Sequence, residues 1–245
     1  MYSKLYAKLT KAYVSSEAKA PKRRPKPKKP KKTMKKLVSI LALAFSLAQA
    51  DAQTWVAYNM EGRNAVAPYV APGDLVTVDL PVAGKRQSKK LAFLVRVAPT
   101  DLSGQVLAST IELDATSGSP WFPTYTYNGV SIPTSVRLWF SSSPKPYDFK
   151  DITAGNELQY WWSNPTDIDL EDLILFGPTI LSENVGDPSK WSSAWGKNGS
   201  AFPAQFQAAA ANAQQVGFSF GGYFFDTGAT VAGGTATLHV GSLFP

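Results

Sequence analysis

Tryptophans and acidic residues that lie close together are the side chains of this chain best suited to bind a ligand. The block Tyr160-Trp161-Trp162-Ser163-Asn164-Pro165 joins two adjacent indoles to an amide, and a group of carboxylates follows at once: Asp167, Asp169, Glu171 and Asp172. Indoles stack on the apolar C–H faces of sugar rings, and neighbouring amides and carboxylates hydrogen-bond the hydroxyls. The block therefore predicts a sugar-binding surface.

Strand geometry separates the two indoles of the doublet. Successive side chains of an extended strand point to opposite faces, so Trp161 and Trp162 cannot both be in the core. We expect one to be buried and the other to be presented outward or covered by a loop. Trp191 and Trp195 lie in a serine- and glycine-rich segment that predicts exposure in a loop. The alternative for any one indole is core packing. The predicted ligand-binding residues are Trp161, Trp162, Trp191, Trp195 and Asn164.

The carboxylates admit two chemistries. Asp167, Asp169 and Glu171 supply hard oxygen ligands of the kind that Ca²⁺ prefers, although the Asp-x-Asp-x-Asp-Gly loop is not completed. The alternative is a solvated acidic loop that keeps a strand edge from pairing with other chains. A pair of these carboxylates could also hydrolyse a glycosidic bond, with one as acid and the other as base or nucleophile. We predict no cofactor other than this candidate Ca²⁺.

Most other catalytic sites are excluded by composition. The chain has no cysteine, which removes disulfides, thiolate nucleophiles and cysteine-ligated zinc. His239 is the only histidine, so any Ser-His-Asp triad would have to use it. The strand pattern places His239 on an outward face with Thr235 and Thr237, where an ordinary solvent-exposed residue is the simplest interpretation. We assign no catalytic residue.

The first 52 residues differ in character from the rest. Residues 1–33 end in a Lys/Pro-rich run, which predicts a solvated, extended leader or an upstream extension of the true start. Residues 34–52 read as a secretory signal segment: Lys35 and Lys36, then an apolar stretch from Leu37 to Leu47, then small-x-small cleavage sites. This stretch is too short to cross a bilayer, and no second one follows. We expect a secreted or periplasmic product without a transmembrane anchor.

The net charge of +7 arises from this leader. Residues 1–52 hold 14 of the 25 basic residues and two of the 18 acidic ones, so the remainder carries a formal charge of −5. Nucleic-acid binding is therefore not expected.

Residues 53–245 have the pattern of an all-β domain. Short runs rich in β-branched and aromatic residues alternate with turn clusters, which predicts one antiparallel, jelly-roll-like β-sandwich domain. The expected strands include Tyr125 to Val130, Leu173 to Phe176, and Val216 to Phe220 with one half-buried face. Turns are expected at Ser117-Gly118-Ser119-Pro120 and at Ala232-Gly233-Gly234.

One short, late helix is expected in the sandwich. The segment Ala204 to Gln214 is rich in alanine and glutamine, which favours a helix. Ser200 is suited to cap this helix, and Pro203 suits its first turn.

The second half of the chain also resembles a known family. The motifs that carry the resemblance are Arg137-Leu138-Trp139-Phe140, the Tyr160–Pro165 block, Trp191-Ser192-Ser193-Ala194-Trp195-Gly196, the alanine-rich helix, Val216–Phe225 and Gly233–Leu238. They resemble the extracellular β-sandwich domain of secreted bacterial proteins that often carry a PEP-CTERM surface-sorting tail, domains similar in outline to laminin-B and galactose-binding-like jelly rolls. The resemblance implies a fold and an export route but no catalytic residues. The chain ends at Pro245 without a sorting tail, so anchoring by that route is not expected.

Together these patterns predict a secreted, non-catalytic β-sandwich that acts as a binding or structural module of the cell exterior. Polysaccharide or cell-envelope glycan is the expected ligand class. The alternatives are a carboxylate-based glycoside hydrolase or lyase on the same scaffold, and a matrix protein without a small ligand.

Overall fold

The computed structural model describes residues 54–71, 75–84, 90–222 and 226–243. The predicted leader (1–33) and signal segment (34–52) lie outside the described residues. Asp51–Pro245 group into one compact unit. Among the described residues, no helix is long and apolar enough to cross a membrane.

The described residues form an antiparallel β-sandwich, as the short alternating runs predict. In chain order the strands are β1 Thr54–Tyr58, β2 Asn64–Val66, β3 Tyr69–Val70, β4 Val76–Asp79, β5 Phe93–Thr100, β6 Val106–Trp121, β7 Tyr125–Tyr127, β8 Val130–Ile132, β9 Ser135–Ser141, β10 Tyr160–Asp169, β11 Thr179–Asn184, β12 Trp191–Ser193, β13 Ala213–Gly221 and β14 Ala232–Val240. One sheet has seven strands in the order β12-β10-β9-β13-β5-β1-β2. The other has five, in the order β11-β6-β14-β4-β3, and β7 and β8 form a separate hairpin.

One apolar core lies between the two large sheets. Alternate residues of each strand point into it, as period-two patterning requires. Its members include the large even-numbered residues of β13 and the small and branched residues of β14: Val216, Phe218, Phe220, Ala236, Leu238 and Val240. The inner face predicted for β14 is thus confirmed.

The outer face of the seven-stranded sheet is covered as well. A second set of buried rings, here called the outer aromatic cluster, lies on it: Tyr58, Phe93, Trp139, Tyr147, Tyr160 and Trp162. Tyr147 belongs to the segment between β9 and β10. The half-buried pattern expected for Val216 to Phe220 is therefore wrong, because both faces of β13 are buried. Gly217 is required on this strand, since a Cβ there would collide with the Leu94 carbonyl oxygen and the Val95 Cα.

The described residues also form two α-helices. α1 spans Leu170–Phe176, so the strand expected over Leu173 to Phe176 is wrong. Leu170 and Leu173 are one turn apart and both buried, so helical spacing buries the apolar residues of this segment. α2 spans Pro203–Ala211, with proline in its first turn as expected.

The expected Ser200 cap is wrong, because α2 begins after Phe202 and no side chain caps it. Ser200 instead lies in a preceding 3₁₀ turn, Gly199–Ala201, which Asn198 caps.

Three expected local features differ in the structure. Tyr125 to Val130 is a hairpin rather than one strand, since Asn128 and Gly129 both take positive φ, as a type I′ turn requires. Ser117–Pro120 lies within β6, and Gly233 and Gly234 lie within β14. These segments pair with each other through irregular register, and a Cβ on Gly234 would collide with the Ser117 carbonyl oxygen. The glycines therefore permit close strand approach rather than turns.

Candidate functional site

The tryptophan doublet divides between the two faces of the seven-stranded sheet, as predicted. The Trp161 ring lies in the inner core against Phe206, 4.9 Å between centroids, and its Nε1 donates to the Leu158 carbonyl oxygen at 2.8 Å. The Trp162 ring lies in the outer aromatic cluster, 5.5 Å from the Tyr147 ring. Both indoles are almost fully buried. Trp162 lies on the outer face of the sheet, but the loop between β9 and β10 covers it. Neither presents a ring face to a ligand.

Trp191 is buried too, which overturns the expected exposure. β12 pairs with β10, so this residue belongs to a sheet rather than a free loop. Its ring packs 5.0 Å from that of Phe140, and its Nε1 donates to the Asn184 carbonyl oxygen at 3.0 Å. The ring is therefore a core residue.

Asn164 supports the backbone of β10. The register of β10 on β9 shifts between Trp162 and Asp167, and the Arg137 guanidinium lies at this bulge. Its Nη1 donates to the Ser163 carbonyl oxygen and to Asn164 Oδ1, each at 3.0 Å. The Asn164 Nδ2 donates to Ser192 Oγ on β12. These bonds occupy the amide that the sequence predicts as a ligand contact.

Trp195 is the one member of the predicted set with an exposed ring, 44% accessible. It lies in a tight turn between β12 and α2, in which the Gly196 amide donates to the Ser193 carbonyl oxygen at 2.8 Å. The Ser193 amide in turn donates to the Lys197 carbonyl oxygen at 2.9 Å. Gly196 takes φ +69°, which an L-residue rarely adopts. The turn thus holds the indole outward on an ordered backbone.

A partly buried ion pair lies beside this indole. Lys197 Nζ is 2.7 Å from Glu157 Oε1, and the Glu157 side chain is only 3% exposed. The same ammonium lies 5.6 Å from the Trp195 ring centroid and 5.1 Å from that of Phe202. Cation–π attraction at such distances holds the ammonium against the rings. Trp195, Lys197, Glu157 and Phe202 are here called the Trp195 site.

The predicted acidic group lines a different feature, a cavity of about 330 Å³ bordered by Ser135, Arg137, Asp167, Asp169 and Gly222. Asp167 Oδ2 is 2.9 Å from Arg137 Nη2. Partial burial raises the pKa of Asp169, and the charges of Asp172, Asp167 and Glu171 add to this effect. The cavity therefore contains one carboxylate paired with a guanidinium and another whose pKa is raised.

The expected calcium ligands converge only in part. Asp167 and Asp169 line the cavity together, whereas Glu171 is exposed in the first turn of α1. In the part of the chain that the structure describes, no three acidic or histidine side chains are grouped as a metal site. The Arg137 guanidinium beside Asp167 also competes with a cation. Calcium at this place stays a prediction.

The only histidine of the chain lies on the outside of the five-stranded sheet. His239 lies on the outward face with Thr235 and Thr237, as predicted. Its Nε2 is 3.2 Å from Asp114 Oδ2.

The expectation that the chain has no Gly-x-Ser-x-Gly motif to supply a nucleophilic serine is wrong, because Gly217-Phe218-Ser219-Phe220-Gly221 has that spacing. That motif needs a strand–turn–helix, but here it lies within β13. Ser219 pairs with Phe93 and so faces the outer side of the seven-stranded sheet, with both sheets between it and His239. A Ser-His-Asp triad built on these two residues is therefore excluded.

Comparisons with known proteins yield no relative: no protein-family model, no curated protein and no solved structure matches this chain. Function is therefore inferred from the geometry of the two sites.

Proposed function

We propose that the protein is a secreted, non-catalytic binding module of the cell exterior whose ligand is a glycan bound at the Trp195 site. The observation that carries this proposal is the exposed Trp195 indole on an ordered turn, next to the Lys197–Glu157 ion pair. The signal-like segment 34–52 and the resemblance to exported bacterial β-sandwich domains support the location.

The chemistry of the site suits a sugar ring. An indole offers a flat apolar surface for the C–H face of a pyranose, and adjacent polar groups can hydrogen-bond its hydroxyls. Lys197 lies over the indole, and an ammonium has three donors, of which Glu157 takes one. Because the turn is already ordered, little conformational entropy is lost on binding.

Calorimetric titration of the secreted protein with a panel of soluble polysaccharides tests the proposal. We expect at least one polysaccharide to bind, and Trp195→Ala to weaken that binding by about tenfold or more, the loss of one aromatic stacking contact. Trp121→Ala is the matched control, since Trp121 is also exposed, at 52%, but lies on β6. Absence of binding across the panel, or equal loss in both variants, would contradict the proposal.

Export is tested separately by mass spectrometry of the N-terminus of the mature protein. We expect a mature protein that begins at Asp51 or Gln53 and is recovered outside the cytoplasm. Retention of residues 34–52 would count against the signal segment.

The second candidate function is glycoside hydrolysis at the Asp167–Asp169 cavity. Asp167 and Asp169 are two residues apart on β10, so they share a face, and their surroundings differ. Such a difference in environment can separate acid from base in a carboxylate pair. We expect a hydrolase to release reducing ends from the same polysaccharides, and Asp167→Asn or Asp169→Asn to abolish the release. Binding of a polysaccharide without release of reducing ends would favour the non-catalytic binding module over the hydrolase.

A further inference from the structure

Glu157 has one carboxylate oxygen without a hydrogen-bond partner. The residue is 2% exposed, and it lies in a 3₁₀ turn, Glu157–Gln159, that leads into β10. Its Oε1 accepts from Lys197, whereas its Oε2 is buried and accepts no hydrogen bond from the described residues. Leaving a buried charged acceptor unpaired is unfavourable. The carboxylate therefore has unused capacity to accept from one more donor.

The carboxylate that carries this oxygen belongs to the Trp195 site. The Lys197 ammonium contacts Glu157 Oε1 and lies over the Trp195 ring, so the carboxylate and the exposed indole are joined through one side chain. The Lys197 side chain is 36% exposed, whereas the Glu157 side chain that it contacts is only 3% exposed. Side chains at a binding site commonly change rotamer when a ligand binds, and Lys197 could do so here. A small movement of Lys197 would open Glu157 Oε2 to a bound molecule.

We propose that Glu157 is a specificity-determining residue that accepts a hydrogen bond from one hydroxyl of the glycan, while Lys197 donates to a neighbouring hydroxyl. This inference rests on the proposed function, since it presumes a ring stacked on Trp195. The ligand class is thereby narrowed to sugars with two adjacent free hydroxyls at the position of stacking. A site that hydrogen-bonds a hydroxyl discriminates strongly against the analogue that lacks it, because its buried polar group is then left unpaired.

The first test is Glu157→Gln in the full secreted protein, titrated with the polysaccharide that binds most tightly in the panel. We expect about tenfold weaker binding, the loss of one charge-assisted hydrogen bond. Glu112→Gln, which alters a half-buried carboxylate on β6 of the five-stranded sheet, is the control and should bind normally. Binding that depends on Trp195 but is unaffected by Glu157→Gln would overturn this inference while the proposed function stands. No binding by the unaltered protein would overturn both.

The second test leaves the protein unaltered and so does not depend on the folding of a variant. Oligosaccharides of the same polymer compete for the site against analogues that lack a single ring hydroxyl. We expect one deoxy analogue to compete about tenfold less well than the parent oligosaccharide for the unaltered protein. For the Glu157→Gln variant, this analogue and the parent oligosaccharide should compete equally well, because the variant already lacks the contact that the missing hydroxyl would make. Equal competition by all the deoxy analogues would overturn the inference.

Discussion

Trp161 and Trp162 are neighbours in the chain, yet their indoles are buried on opposite faces of one sheet, in different clusters. Their polar atoms also differ. The Trp161 Nε1 donates to the Leu158 carbonyl oxygen at 2.8 Å, whereas the Trp162 Nε1 is buried without an acceptor among the described residues. Two adjacent residues of one type should therefore respond differently to the same substitution.

We predict that Trp161→Phe lowers the free energy of unfolding more than Trp162→Phe does, by about 1 kcal/mol. Both changes remove similar volume from a packed cluster, but only the first leaves a carbonyl oxygen without its donor. Equilibrium urea denaturation of the two variants checks this, provided that the slope of the unfolding free energy against urea concentration is the same in both. An equal loss in both variants would contradict the assigned hydrogen bond.

Features with a local cause could be predicted from the sequence. Period-two alternation places Ala236, Leu238 and Val240 inside and His239 outside, as the structure has them, because side-chain direction in a strand depends only on position. The same rule assigns Trp161 and Trp162 to opposite faces of the sheet, which the structure confirms.

Features that depend on distant packing could not be predicted. The segment between β9 and β10 covers the outer face of the seven-stranded sheet, so Trp162 is buried where alternation alone allows exposure. Glu157 reaches Lys197 across 40 positions of the chain, a contact without a local signal. Leu173 to Phe176 has strand-like composition, but tertiary burial of Leu170 and Leu173 selects a helix.

Arg137 should contribute more to stability than its carboxylate partner. Its guanidinium bonds Ser163, Asn164 and Asp167 across the bulge of β10. We predict that Arg137→Met costs about 2–3 kcal/mol and Asp167→Asn about 1 kcal/mol, since the second change leaves the two bonds from Nη1 intact. A double-mutant cycle by chemical denaturation should give a coupling of about 1 kcal/mol. A larger loss of stability for Asp167→Asn than for Arg137→Met would contradict the conclusion that Arg137 stabilises the β10 bulge.

Asp169 should make stability fall as pH rises. Its pKa in the folded protein lies above the ordinary value of 3.8, first because of burial and then because of neighbouring carboxylates. Between the two values the folded state binds more proton than the unfolded state, so the free energy of unfolding decreases with increasing pH. We predict that Asp169→Asn gains stability relative to the unaltered protein as pH rises from below 3.8 to neutrality.

Asp101 provides a control of opposite sign for that experiment. Hydrogen bonds from Ser103 lower the pKa of this exposed carboxyl, so its contribution is present at neutral pH and is lost on acidification. Asp101→Asn should therefore lose stability relative to the unaltered protein at neutral pH. Thermal unfolding of both variants across the acid range distinguishes the two trends. The same trend in both would contradict the assignment for Asp169.

Gly217 and Gly104 should tolerate alanine differently. Gly217 has no space for a Cβ beside Leu94 and Val95, whereas Gly104 has open space but takes φ +68°. We predict a loss of about 3 kcal/mol or more for Gly217→Ala, from overpacking between paired strands. Gly104→Ala should cost about 1–2 kcal/mol, from backbone strain alone. Chemical denaturation checks the order, and a milder effect at Gly217 would contradict the close approach of β13 and β5.

The Lys197–Glu157 pair should contribute little net stability to the fold, which is a reason to seek its role in binding. Removing one partner by Lys197→Met leaves the Glu157 charge buried, and we predict a loss of about 2–3 kcal/mol, reduced from a fully buried pair because Lys197 is 36% exposed. The double variant Lys197→Met, Glu157→Leu should recover most of this, since it leaves no buried charge. Equilibrium denaturation of the single and double variants measures both. A double variant that is as stable as the unaltered protein but does not bind the glycan would show that the ion pair serves recognition. A double variant that is less stable than Lys197→Met would show instead that the pair stabilises the fold.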